Sequence, residues 1–67
     1  MNMRKAVLKV MDDFESGKEF TARGFKLLFD MVYGENSMYI DTVMRRVRQF
    51  CHNRYRYDKH SKLYIKL

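Results

Sequence analysis

MYIDTVMRRVRQFCHNRYRYDKHSKLYIKL, residues 38–67, changes its period halfway along. In its first half Ile40, Val43, Met44, Val47, Phe50 and Cys51 recur at three- and four-residue steps. That is the apolar stripe of a helix, expected over about Met38 to His52. The second half alternates in twos: Arg54-Tyr55-Arg56-Tyr57, then Lys62-Leu63-Tyr64-Ile65-Lys66-Leu67, on either side of polar Asp58-Lys59-His60-Ser61. Period two around a polar turn predicts a β-hairpin. The same stretch carries eight bases against Asp41 and Asp58, whereas residues 1–37 carry six bases and six acids. The whole formal charge of +6 therefore lies in one helix and one hairpin. Charge gathered in this way is the footprint of a surface for a polyanion, of which nucleic acid is the commonest.

Upstream, Met3, Ala6, Val7, Val10, Met11 and Phe14 fall at helical spacing. They predict a first helix from about Met3 to Glu15, stopped by Ser16-Gly17. Lys18-Glu19-Phe20 reads as a short extended stretch. Thr21 has the chemistry of an N-cap for a second helix over about Ala22 to Tyr33. Phe20 before that cap and Phe25 at the fourth helical position have the spacing of a hydrophobic staple. Phe25, Leu28, Phe29 and Val32 form the buried stripe of this helix, and Gly34 ends it. Asn36 or Ser37 is expected to cap the third helix. In the hairpin, Tyr55 and Tyr57 are expected to pack inward with Leu63 and Ile65, leaving the arginines outward.

Sixty-seven residues make a single domain, 1–67, whose small core leaves little room for an enclosed substrate pocket. The single cysteine, Cys51, excludes an internal disulfide, and so points to a reducing, intracellular setting. Cys51 lies on the apolar stripe, where a thiol is a core residue and not a nucleophile. His52 and His60 have neither a second cysteine nor a carboxylate cluster beside them, so no metal is expected. Neither a nucleophile–base pair nor a phosphate-cradling glycine loop is present, and no catalytic activity, small-molecule substrate or cofactor is expected. No apolar run approaches the ~18 residues of a membrane span.

The order helix, short strand, helix, turn, helix, hairpin resembles the winged helix-turn-helix family over essentially the full length. The residues carrying the resemblance are Phe20-Thr21 ahead of the second helix and Thr42-Val43-Met44-Arg45-Arg46-Val47-Arg48-Gln49-Phe50. The latter run is similar to the T-V-x-R-x-L-R-x-L pattern of many recognition helices in that family. Leu63-Tyr64-Ile65 is similar to the last wing strand. The resemblance implies an α+β fold of three helices with a C-terminal β-hairpin wing and a short strand before helix 2. It also implies that the third helix enters the major groove of double-stranded DNA, and that the wing, 54–67, touches a backbone or minor groove.

Residue chemistry agrees. On a helical wheel Thr42, Arg45 and Gln49 face away from the stripe. Arg can pair bidentately with guanine and Gln with adenine, while Thr42 suits a thymine methyl or a phosphate. Arg46 and Arg48 flank that face and suit phosphates, as does the hydroxyl of Tyr39 near the helix start. Arg54, Arg56, Lys59, His60 and Lys62 supply the wing. The expected function is sequence-specific DNA binding by a small transcriptional regulator. The alternatives are a winged helix used for protein–protein contact, or RNA and single-strand binding through the Tyr/Arg-rich hairpin. Leu8, Leu27 and Met31 lie off the buried stripes and are the expected contacts of a homodimer, which would lengthen the DNA site.

Overall fold

Asn2 opens the first helix: its side-chain oxygen accepts the Lys5 N–H at 2.8 Å. In the computed structural model, which describes residues 1–67, helix α1 spans Met3–Asp13 and buries Ala6, Val7, Val10 and Met11. It stops two residues before the expected Glu15. The ammonium of Lys66, from the far end of the chain, donates to the Met11 and Phe14 carbonyls at 3.0 and 2.9 Å. The Met11 carbonyl accepts only the N–H of the C-cap Phe14, at 3.2 Å, from the backbone, and a cation there also meets the negative end of the helix dipole. Gly17 turns the chain toward β1 (Glu19–Phe20) with φ of 88°, and its N–H donates to the Lys66 carbonyl at 2.7 Å. Only glycine takes that left-handed backbone without a side-chain penalty.

Helix α2 spans Ala22–Tyr33, and its start follows the sequence reading closely. Thr21 Oγ1 accepts the Gly24 N–H at 3.0 Å, and the Phe20 and Phe25 rings of the staple stand 5.8 Å apart. Phe25 and Phe29 are fully buried. Leu28 departs from the expected stripe: it is exposed, with Val32 half-buried beside it. The helix rests on its two neighbours along the Phe25–Phe29 line, and no element covers the Leu28 side.

Helix α3 spans Ile40–Cys51, so it begins later than the predicted Met38, and neither Asn36 nor Ser37 caps it. Tyr39 holds the cap position and makes no side-chain cap bond. Asn36 is occupied elsewhere. Its amide donates to Asp30 at 2.9 Å and to the Gly34 carbonyl at 2.8 Å, and its oxygen accepts the Met38 N–H at 3.0 Å. Lys26 closes on the same Asp30 carboxylate at 2.6 Å. Hydrogen bonds from Lys26 and then Asn36 hold the Asp30 carboxyl below its ordinary range. The turn between α2 and α3 is thus pinned to the end of α2.

The sheet has three antiparallel strands in the order β1-β3-β2, with β2 at Tyr55–Asp58 and β3 at Leu63–Lys66. Asp58 belongs to the strand and Lys62 to the turn, each one place from the expected assignment. The Asp58 carboxylate accepts the His60 N–H at 2.9 Å, and the Lys62 N–H donates to the Asp58 carbonyl at 2.8 Å. Lys62 sits at φ of 59°, off the strand alternation.

Register corrects the expected packing of the tyrosines. Tyr57 pairs with Tyr64 and Tyr64 with Phe20, whereas Arg56 pairs with Ile65 and Asp58 with Leu63. Directly paired residues share a face. Tyr55, Tyr57 and Tyr64 therefore lie on the Phe20 face, and Leu63 and Ile65 lie on the other. Tyr64 stacks on Phe20 at 5.3 Å and Phe20 on Phe14 at 4.7 Å, an aromatic column that joins sheet to helices. Apart from Phe20, the buried core comes from the three helices, with Cys51 inside it. No helix is long and apolar enough to cross a membrane.

Candidate nucleic-acid interface

The exposed side of α3 follows from its buried one. Val43, Met44, Val47 and Cys51 are buried, so Gln49 points directly away from the core. Arg45 and Gln49 are exposed, and Thr42, one turn before Arg45 on the same side, is half-buried. Tyr39 stands at the helix start with 81% of its surface exposed. The helix is ~18 Å long, enough to lie along a stretch of groove with several side chains toward it.

Arg46 does not stand free. It donates to Gln49 Oε1 at 2.9 Å, which fixes the Gln49 amide. An amide oxygen has a second lone pair, so Gln49 keeps both an acceptor and its NH₂ donors for a base edge. Arg48 sits on the other flank, beside the hairpin. Burial pushes the phenols of Tyr55 and Tyr64 up, their tyrosine neighbours add to it, and the Arg48 guanidinium pulls both down. Arg48 therefore lies within electrostatic reach of the tyrosine face. The rings of Tyr55 and Tyr57 both pack on Tyr64, at 5.5 and 4.7 Å, and Tyr57 remains 45% exposed.

The wing residues divide. Arg56 is exposed on the face away from the tyrosines, and Lys59, His60 and Lys62 are exposed in the turn. Arg54 is not a strand residue. Its guanidinium pairs with the Asp12 carboxylate of α1, clamping the hairpin base to the first helix. Lys66, not a candidate from sequence, does similar work through the α1 carbonyls. Neither pairing had a sequence signal, because both join residues far apart in the chain. Asp58, at the base of the turn, is held below the usual carboxylate range by the His60 N–H and then the Ser61 hydroxyl, so it stays ionised.

Setting the tethered bases aside leaves Arg45, Arg48, Arg56, Lys59 and Lys62 without carboxylate partners, with Arg46 bonded only to neutral Gln49. In the first half of the chain, Lys9 pairs with Asp13 and Lys26 with Asp30. Arg4, Lys5, Lys18 and Arg23 have no carboxylate partner there, and the guanidinium carbon of Arg4 lies 6.0 Å from the centre of the Phe50 ring on α3. The chemistry of the surface is thus multiple N–H donors and positive charge around one fixed amide. Comparison with known protein families, curated proteins and solved structures finds no match.

Proposed function

We propose that this chain is a winged helix-turn-helix protein that binds double-stranded DNA sequence-specifically, as a small intracellular transcriptional regulator. Helix α3 enters the major groove and the β2–β3 wing lies on a flanking backbone or minor groove. One observation carries this reading. The formal charge of +6 lies in residues 38–67, and of the eight bases there only Arg54 has a carboxylate partner, so the excess stays on α3 and the adjoining hairpin. Arg45, Gln49 and Thr42 are the base-reading set, and Tyr39, Arg46, Arg48, Arg56, Lys59, His60 and Lys62 are the phosphate set. Arg54, committed to Asp12, contributes to wing placement.

The protein acts as a homodimer, joined through the uncovered side of α2. Leu27 and Met31 are 62% and 80% exposed, and Met31 helps line a groove of about 220 Å³ with Val10, Phe14, Leu28 and Val32, and with Asp13 as its one charged residue. Leu8, expected at this contact, is half-buried against the core and drops out.

A salt titration against duplex DNA tests the function. If α3 and the wing neutralise roughly 4–6 phosphates, the log–log slope of affinity against salt is about −3.5 to −5.5. A slope near zero, or no binding at low salt, removes the DNA reading and favours contact with protein. Tighter binding of single strands or RNA transfers the function to the tyrosines of the hairpin.

A further inference from the structure

We propose that the DNA interface extends onto α1, where Arg4 is a phosphate contact on the flank of α3 opposite the wing. This rests on the duplex-binding proposal above. In α3, Arg48 and Phe50 are the neighbours of Gln49, so they lie about 100° to either side of the outward line. On the Arg48 side the chain passes from the end of α3 into the hairpin, the Arg54 N–H donating to the Cys51 carbonyl and Tyr55 and Tyr64 packing against the core. The Phe50 side is closed by α1, through Arg4.

A helix about 10–12 Å across fills a major groove about 12 Å wide and has a phosphate backbone on each side. The strand on the wing side meets Arg48 and the wing cations. On the other side α3 itself offers Arg46, which already donates to Gln49. Arg4 supplies a second cation there. It has no carboxylate partner, and contact with the Phe50 ring engages its charge while leaving its N–H donors available.

The placement of Arg4 also runs against what α1 alone would favour. The first turn of α1 contains no acid and instead holds Arg4 and Lys5, at the positive end of the helix dipole. A cation there is unfavourable for the helix and an acid favourable. Within the fold only the Phe50 ring offsets that cost, and a phosphate would add to the offset.

Stability and binding should therefore move in opposite directions. Arg4→Ala and Arg4→Glu are expected to melt at or above the wild-type temperature by circular dichroism. Both should weaken binding to a labelled duplex uniformly across sequences, with Arg4→Ala reducing the salt slope by about one. Arg4→Lys retains the slope. Phe50→Leu, which keeps an apolar side chain but removes the ring, weakens binding in wild type and adds nothing to Arg4→Ala. If wild type binds duplex with a steep slope and Arg4→Ala leaves slope and affinity unchanged, Arg4 is not at the interface and the DNA reading stands. If wild type shows no salt-dependent duplex binding, the DNA reading itself fails and takes Arg4 with it.

Discussion

Arg45 and Lys59 both carry one positive charge, yet their surroundings give them different work. Arg45 stands on the exposed line of α3 beside a Gln49 amide already oriented by Arg46. Lys59 stands in a turn with nothing to fix its ammonium. Arg45→Ala is therefore expected to cost roughly 1–3 kcal/mol of binding and to relax preference at one base position. Lys59→Ala should weaken all sequences alike and lower the salt slope by about one. Binding to a panel of single-base duplex variants separates the two. Uniform loss in both would mean that α3 does not read bases. At this scale the sequence was informative wherever chemistry is local. Thr21 as a cap, the Phe20–Phe25 staple and the face holding Thr42, Arg45 and Gln49 all follow from spacing along one element. It was silent where a side chain is claimed from across the fold, as Arg54 is by Asp12 and Lys66 by the end of α1.

The hairpin stores strain in the segment proposed to touch DNA. Lys62 adopts a left-handed backbone that costs a residue with a side chain roughly 1–2 kcal/mol. Such strain tends to gather where function requires it. Lys62→Gly is expected to stabilise the protein by roughly 0.5–1 kcal/mol, the strain relieved less the chain entropy that glycine adds. It should also weaken DNA binding, with a salt slope smaller by about one. Urea unfolding and the salt titration read the two effects; greater stability with an unchanged slope would place Lys62 away from any phosphate. The alternation of residues 54–57 and 62–67 revealed the hairpin but not its register. The Asp58 bond to the His60 N–H shifts the turn by one place, and pairing with β1 decides which face meets the core. The start of α3 was likewise hidden, because Asn36 looks like a cap in sequence and is drawn to Asp30 and Gly34 in space.

Across the whole molecule, the uncovered side of α2 is the largest departure from the expected pattern of burial. Leu28 belongs to the apolar period of its helix, but a chain this small has no fourth layer to cover it. The proposed homodimer supplies one. Wild type is expected to self-associate at high micromolar concentration in sedimentation, and Met31→Glu to remain monomeric with an unchanged melting temperature. A wild type that sediments as a strict monomer, both free and on DNA, would limit the protein to one short half-site. The central place of β3 has a consequence for how the sheet comes apart. Its seam with β2 joins four residue pairs around a short turn, whereas its seam with β1 joins two and closes the chain from Glu19 to Ile65. Loop-closure entropy makes the longer seam dearer by about 2 kcal/mol. The hairpin is therefore expected to part from the body before its own ladder opens, with the Phe20–Tyr64 stack, the Arg54–Asp12 pair and the Lys66 ammonium as the catches that hold it in place.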